Sequence, residues 1–196
     1  MAHGLAATVE RKDTWRRLLL RKKWLTLIIM EICISDQSTP LVVFFGGTNS
    51  GKLMTIMRLL RYLGRYGYYS TPDRNLRPSS DMIYQMVCKQ FNEQIGSDMG
   101  KMCCWPSPRT ILVKLINKEG ISECQLLKLP GEHCINPNYN DGCLPVYFNY
   151  IVNVPNKKVW VFFLDGYRGD ERLGYCTSQM LKLLKLINPK DRIVFL

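Results

Sequence analysis

The stretch LVVFFGGTNSGKLM, from Leu41 to Met54, passes from an unbroken apolar run into a glycine-rich turn that contains Gly51 and Lys52. Such an apolar run predicts a strand buried on both faces of a parallel sheet. The apolar residues that follow recur at helical spacing and predict a helix: Leu53, Ile56, Met57, Leu60 and Leu63. The sequence therefore predicts a strand that turns into a helix through glycines.

The turn matches the pattern G-x-x-x-x-G-K. In this pattern the glycines let backbone N–H groups face phosphate oxygens, the lysine reaches the outer phosphates, and the helix N-terminus adds partial positive charge. We predict that this segment, here called the glycine loop, binds the phosphates of a nucleotide through Gly46, Gly47, Thr48, Asn49, Ser50, Gly51, Lys52, Leu53 and Met54. The alternative is a strand-to-helix turn that binds nothing.

The composition of the 196-residue chain is that of a globular protein, with 46% hydrophobic and 22% charged residues. A formal charge of +11 favours an anionic partner such as a nucleotide, a nucleic acid or an acidic lipid surface. Because no basic run is interleaved with aromatic residues, nucleic acid is the least favoured of these partners. The eight cysteines lack zinc-finger spacing and suit reduced thiols, so we expect a cytoplasmic protein without a protein-bound metal.

Residues 1–39 form a basic, amphipathic N-terminal extension. Its apolar part, Trp24 to Ile34, is shorter than the ~20 residues that span a bilayer and contains Glu31. We predict an extra helix that docks on the domain, and peripheral membrane contact is the alternative.

Residues 40–196 predict one α/β domain with a mostly parallel sheet and one antiparallel hairpin strand, and the glycine loop resembles that of P-loop NTPases, which implies a three-layer sandwich of that type. Residues 68–108 are an insertion with a helix that begins after Ser80 and buries Ile83, Val87 and Phe91. A hairpin with a turn at 118–120 follows, and then a helix, the strand VWVFFLD, a second helix and the strand RIVFL.

From Leu41 to Leu196 the chain resembles the P-loop GTPases of the small Ras-like and translation-factor group. It does so in element order and at a second motif, where the family's D-x-x-G corresponds to Lys128-Leu129-Pro130-Gly131. The resemblance implies that Gly131 meets the γ-phosphate and that Glu132 and His133 help place the attacking water, as candidate catalytic residues. The alternative for Pro130-Gly131 is a type II turn.

The resemblance fails at the magnesium ligands. Leu53 stands where the family has a hydroxyl, and Lys128 stands where it has an aspartate. We therefore expect GTP or GDP to bind with weak or no hydrolysis, and Mg²⁺ to be held only through nucleotide phosphates and water. The family's guanine-reading N-K-x-D motif would follow the last strand, where the sequence stops, so we expect the domain to be incomplete at its C-terminus.

Three functions stay open. The first is a GTP-binding switch or scaffold that serves a larger chain or a protein partner. The second is an ATP-binding ATPase or kinase in which Asp165, at the end of VWVFFLD, is the carboxylate on the metal side. The third is a pseudo-GTPase that binds no nucleotide and acts only as an interaction module.

Overall fold

The computed structural model describes residues 32–95, 110–131, 144–164 and 171–196, and for residues 171–175 it describes the backbone only. Within these ranges the chain forms six strands, four α-helices and one 3₁₀ turn. In chain order they are β1 (Leu41–Gly46), α1 (Lys52–Gly64), β2 (Tyr69–Pro72), the 3₁₀ turn (Arg74–Leu76), α2 (Met82–Ile95), β3 (Ile111–Ile116), β4 (Ser122–Lys128), α3 (Val146–Asn153), β5 (Lys158–Phe163), α4 (Glu171–Leu184) and β6 (Arg192–Phe195).

The strands form one sheet in the order β2-β3-β4-β1-β5-β6. The central strand β1 is parallel to both of its neighbours, pairing Phe44 with Lys128 of β4 and Gly46 with Phe163 of β5. Strand β6 continues the parallel arrangement, whereas β3 is antiparallel to both β2 and β4. The prediction of a mostly parallel sheet with one antiparallel hairpin strand is therefore confirmed.

Helices cover both faces of the sheet. On one face, α1 contributes to a core with Phe44, Ile56, Met57, Leu60, Ile111, Val113, Leu126, Val161 and Phe163. On the other face, α3 and α4 contribute to a second core with Phe45, Phe148, Ile151, Trp160, Phe162, Met180 and Leu183. Burying apolar side chains on both faces is what the unbroken apolar strands require. The arrangement is compatible with a three-layer sandwich.

The segment predicted as a helical insertion is more regular than expected. It contributes the edge strand β2, whose Pro72 pairs with Val113 at the border of the sheet, where a missing N–H is tolerated. Helix α2 is capped by Asp81 and not by Ser80, because the Asp81 carboxylate accepts a hydrogen bond from the Tyr84 N–H at 2.9 Å.

The buried face of α2 also differs from the prediction. Ile83 is 56% exposed, whereas Val87 and Phe91 are buried as expected. The helix lies at the edge of the sheet, so Val87 and Phe91 join the core on the α1 side while Tyr84 and Cys88 join the other core. Helix α2 of the insertion therefore contributes side chains to both cores of the domain.

The last residues of the N-terminal extension pack on the domain. The Cys33 N–H donates to the Leu76 carbonyl at 2.9 Å, and the Ile34 N–H donates to the Tyr150 hydroxyl at 2.8 Å. Ile34 itself is fully buried. The predicted amphipathic helix, whose apolar part is Trp24 to Ile34, is not helical at residues 32–34, and the rest of it lies outside the described residues.

In the described part of the chain, no helix is both long enough and apolar enough to cross a bilayer. Four cysteines belong to this part of the chain, and all four are free thiols: Cys33, Cys88, Cys124 and Cys176.

Candidate nucleotide-phosphate site

The glycine loop lies at the carboxyl end of the central strand. Strand β1 is hydrogen-bonded to β4 on one side and to β5 on the other, so three parallel strands end together at this edge. The chain leaves β1 through α1 on one face and leaves β4 toward α3 on the other. In open α/β sheets ligands bind outside the carboxyl ends of strands, at the point where the connections diverge. The loop occupies that position.

The backbone of the loop departs from standard strand and helix conformations at the start of α1. Gly51 precedes the helix with φ +86° and Asn49 has φ +64°, in the region where asparagine is better tolerated than most residues. No side chain caps this helix end. Among the described residues, no hydrogen-bond acceptor is found for the N–H groups of Thr48, Asn49, Gly51, Leu53 and Met54. The start of α1 therefore offers a set of donors together with the positive end of the helix dipole.

The Lys52 side chain folds back into the loop. Its residue is only 4% exposed, and its Nζ donates to the Gly46 carbonyl at 2.7 Å, to the Gly47 carbonyl and to the Ser50 hydroxyl at 3.0 Å. An ammonium group carries three N–H donors in total. The two carbonyls and the Ser50 hydroxyl hold the ammonium against the turn.

Gly131 packs directly on the loop. A Cβ atom at this position would lie 2.6 Å from the Gly47 carbonyl carbon and would also meet the Thr48 backbone N, so only glycine fits without displacement of the backbone. The structure thus brings Gly131 to the glycine loop from the end of β4. Its expected contact with a γ-phosphate stays a prediction.

Two side chains of the loop, those of Leu53 and Met54, are apolar and carry no oxygen that could bind a metal ion. Leu53 and Met54 are half-buried and pack against the core on the α1 side, so each has only its backbone to offer. Thr48 differs, because its hydroxyl oxygen is buried and has no hydrogen-bond partner. A buried hydroxyl without a partner is costly unless a ligand or water satisfies it.

Lys128 is a second buried lysine at this edge of the sheet. It is 8% exposed and pairs with Phe44 at the end of the β4–β1 ladder. Directly beyond it, the Leu129 N–H donates to the Phe44 carbonyl at 3.2 Å. Because paired residues of parallel strands share a face and Phe44 faces α1, Lys128 lies on the α1 side of the sheet. Position 128 therefore carries an ammonium group and offers no side-chain oxygen that could bind a metal ion.

Several candidate residues lie outside the described residues: Glu132, His133 and Asp165. Their expected roles stay predictions. Within the described ranges, no group of three histidine, cysteine or carboxylate side chains is placed to hold a metal ion.

The sequence Asn188-Pro189-Lys190-Asp191 forms a turn between α4 and β6. The Asn188 side chain accepts from the Lys190 N–H at 2.9 Å, and the Asp191 carboxylate accepts from the Trp160 indole at 3.1 Å. These contacts give Asp191 a structural role.

A polar network at the opposite, amino end of the sheet was not foreseen. The side-chain amides of Gln125 and Asn156 both donate to the Asp36 and Thr39 carbonyls at 2.7 to 3.2 Å. The Asp36 carboxylate accepts from Ser38 and Thr39, and chiefly the hydrogen bond from the Thr39 hydroxyl lowers the pKa of Asp36 to about 2. The pattern Asp-x-Ser-Thr before a proline is the sequence signal of this turn.

Lys158 closes the network at the amino end of β5. It is buried, and its Nζ donates to the carbonyls of Val154 at 2.7 Å and Asn156 at 3.1 Å. Burial lowers the pKa of Lys158. The network joins the amino ends of β1 and β5 to the middle of β4, on the side of the sheet away from the glycine loop.

No protein-family model, curated protein or solved structure matches the chain. The resemblance to P-loop GTPases therefore rests on the sequence motifs alone and stays a prediction.

Proposed function

We propose that this chain binds a guanine nucleotide, GTP or GDP, with the phosphates at the glycine loop, and that it acts as a switch or scaffold with little or no hydrolysis. The observation that carries the proposal is the position of Lys52. A buried ammonium is held at the turn between β1 and α1, beside backbone N–H groups that have no acceptor among the described residues. Both features suit an anion, since they supply positive charge and hydrogen-bond donors together.

Weak hydrolysis follows from the residues that surround the loop. Leu53 packs into the core and offers no oxygen, and Lys128 places a cation where a metal-side carboxylate would help. A triphosphate bound there would bind Mg²⁺ through its own oxygens and water, without a protein ligand from Leu53 or Lys128. Loss of charge stabilisation of this kind costs about two to three orders of magnitude in the rate of the chemical step.

The same Lys52 contacts also favour one alternative, the nucleotide-free interaction module. Gly46, Gly47 and Ser50 already accept hydrogen bonds from the ammonium, so the Lys52 side chain itself occupies the loop. The choice depends on whether a phosphate outcompetes the Ser50 hydroxyl. The ATP-binding alternative depends on Asp165, outside the described residues, and no observation favours it.

A titration with fluorescently labelled GTP and ATP, each with Mg²⁺ and with EDTA, tests the proposal. We expect GTP to bind more tightly than ATP, and Lys52→Ala to weaken binding by at least about 100-fold. The matched control is Lys118→Ala, which removes the same charge from the exposed β3–β4 turn and should leave the affinity unchanged. Absence of binding by the unmodified chain, or equal binding by Lys52→Ala, would support the interaction module.

A further inference from the structure

We propose that the exposed face of helix α1 and the adjoining β3–β4 turn bind single-stranded nucleic acid, at a surface separate from the glycine loop. This surface combines exposed arginine, lysine and tyrosine residues: Arg58, Tyr62, Arg65, Tyr66, Tyr69 and Lys118. It is here called the arginine-tyrosine surface. Binding at this surface goes beyond the proposed nucleotide site and does not depend on it.

Helical spacing brings the arginines and tyrosines of α1 together. Arg58, Tyr62 and Arg65 follow one another at intervals of four and three residues, which places them on one side of the helix. The rings of Tyr62 and Tyr66 have centroids 5.1 Å apart, and their hydroxyl oxygens are 3.1 Å apart. Two exposed aromatic rings in mutual contact therefore lie beside the two arginines.

The β3–β4 turn extends the surface beyond the end of α1. A Cβ atom added at Gly67 would overlap the Lys118 side chain, so this side chain lies directly against the turn that follows the helix. A Cβ atom added at Gly120 would lie 3.9 Å from the Tyr69 hydroxyl. These two contacts place Lys118 and Tyr69 beside the end of α1.

Positive charge predominates on the arginine-tyrosine surface. Residues 58–72 contain no carboxylate, and the β3–β4 turn adds Lys118 together with a single carboxylate, that of Glu119. Among the described residues, neither Arg58 nor Arg65 has a partner in an ion pair. Each guanidinium group can therefore bind a phosphate through paired N–H donors.

The tyrosines distinguish between the anionic partners. A helix that binds an acidic lipid surface buries its apolar face among the lipids, but Ile56, Met57 and Leu60 of α1 already belong to the core. Nucleic-acid bases stack on exposed aromatic rings while their phosphates bind arginine and lysine. Because the bases of a duplex are stacked on one another, exposed rings favour a single strand.

Nucleic acid is the partner that the sequence alone favours least, because the arginines and tyrosines form no continuous run. In RLLRYLGRYGYY, residues 58–69, apolar residues and glycines separate them. Helix α1 buries Leu60 in the core and leaves Arg58, Tyr62 and Arg65 exposed. The folded helix thus collects on one face the side chains that the sequence disperses.

Fluorescence anisotropy with a labelled oligouridine of about 15 nucleotides tests the proposal on the full chain. The single strand should bind at least about tenfold more tightly than an RNA duplex of the same length at the same salt concentration. Each phosphate contact to a single strand contributes about −0.7 to the slope of log affinity against log salt concentration. Three contacts, from Arg58, Arg65 and Lys118, predict a slope of about −2.

Substitutions on the surface separate stacking from charge. Tyr66→Leu removes the ring and should weaken the affinity for oligouridine about 5- to 150-fold, the effect of losing one stacked base. The matched control Tyr66→Phe keeps the ring and should bind within about threefold of the unmodified chain. The double variant Arg58→Gln/Arg65→Gln should flatten the salt slope by about 1.4, whereas Arg192→Gln, on the edge strand β6, should leave it unchanged.

The results that overturn the proposal are distinct from those that overturn nucleotide binding. Equal affinity for duplex and single strand, or a Tyr66→Leu variant that binds as tightly as Tyr66→Phe, overturns stacking on the tyrosines and with it the proposal. Displacement of oligouridine by saturating GTP would place the strand at the glycine loop and overturns it too. Binding to vesicles of phosphatidylserine and phosphatidylcholine without binding to oligouridine would assign the surface to membranes instead. A chain that binds GTP but not oligouridine overturns this proposal alone.

Discussion

Substitution of Gly131 by alanine is the sharpest perturbation of the contact between β4 and the glycine loop. The added Cβ would lie 2.6 Å from the Gly47 carbonyl carbon and 2.7 Å from the Thr48 Cα, and both atoms belong to the backbone. Ordinary contacts of a Cβ atom begin near 3.4 Å, so the loop and the β4 end must separate by several tenths of an ångström. No flexible side chain is available there to absorb the displacement.

Overpacking of this kind costs about 1–3 kcal/mol in the free energy of unfolding. For a chain of this length that corresponds to a fall of about 2–12 °C in Tm. The affinity for GTP should fall as well, because the displaced Gly47–Thr48 peptide belongs to the turn that holds Lys52.

Thermal unfolding followed by circular dichroism, and GTP titration of the same samples, measure both effects. The matched control is Gly64→Ala at the end of α1, where an added Cβ meets nothing within 4 Å. Since alanine is favoured over glycine in a helix by about 0.5–1 kcal/mol, the control should be equally or more stable than the unmodified chain. A Gly131→Ala variant as stable as Gly64→Ala, with unchanged affinity, would refute the close packing of β4 on the loop.

Leu53→Ser should raise the affinity for GTP in Mg²⁺ but not in EDTA, because it adds a hydroxyl ligand in the first turn of α1. The control Leu53→Ala loses the same packing without gaining an oxygen. Equal affinity of the two variants for GTP in Mg²⁺ would contradict the prediction. Asp36→Asn should flatten the pH dependence of the free energy of unfolding between about pH 4 and pH 2, measured by urea unfolding. The pKa of the Asp36 carboxyl is about 2 in the folded chain and 3.8 when unperturbed. The carboxylate therefore stabilises the fold above about pH 4, and this stabilisation is lost as the pH falls through about 2. If the pH dependence of the free energy of unfolding is the same in Asp36→Asn, the Asp36 carboxyl does not cause it. Phe91→Ala should cost about 3–5 kcal/mol in the free energy of unfolding, since Phe91 is fully buried, while Met86→Ala on the exposed face of α2 should change stability by less than about 0.5 kcal/mol; equal costs would place α2 outside the core.

Much of the fold was predictable because the chain marks its central elements with strong patterns. Residues 41–45 and 159–163 are apolar throughout, and such runs are typical of strands that are covered on both faces. The hairpin between β3 and β4 was predictable from its glycine, and Gly120 indeed has φ +82°. In each case a local pattern and the tertiary environment require the same conformation.

Strand β2 was missed because its four residues, Tyr69–Pro72, have no alternation of polar and apolar side chains and end in proline. It forms because β3 offers an unpaired edge, which is a tertiary cause. The cap of α2 was misplaced by one residue because Ser80 and Asp81 are both good capping residues and are adjacent. The helical spacing of Ile83, Val87 and Phe91 predicts a single buried face, whereas the helix at the sheet edge also buries Tyr84 and Cys88 and leaves Ile83 exposed.

The candidate site was predictable as a segment but not as a geometry. The spacing of Gly46, Gly51 and Lys52 located the loop, and the second motif located Gly131 beside it. The inward fold of the Lys52 side chain and the burial of Lys128 depend on carbonyls and strands that only the folded chain brings together. The network of Gln125, Asn156 and Asp36 was missed for the same reason, since its members are far apart in sequence.

Amide chemical shifts during a titration with GTP test the phosphate-binding loop most directly. In ¹H–¹⁵N spectra, the N–H groups without an acceptor among the described residues, those of Thr48, Asn49, Gly51, Leu53 and Met54, should show the largest shifts as phosphate oxygens replace water. The amides of Ser38 and Thr39, at the opposite end of the sheet, should stay in place. Saturating GTP that leaves the loop amides unshifted, or that shifts the Ser38 and Thr39 amides instead, would contradict a phosphate site at the glycine loop.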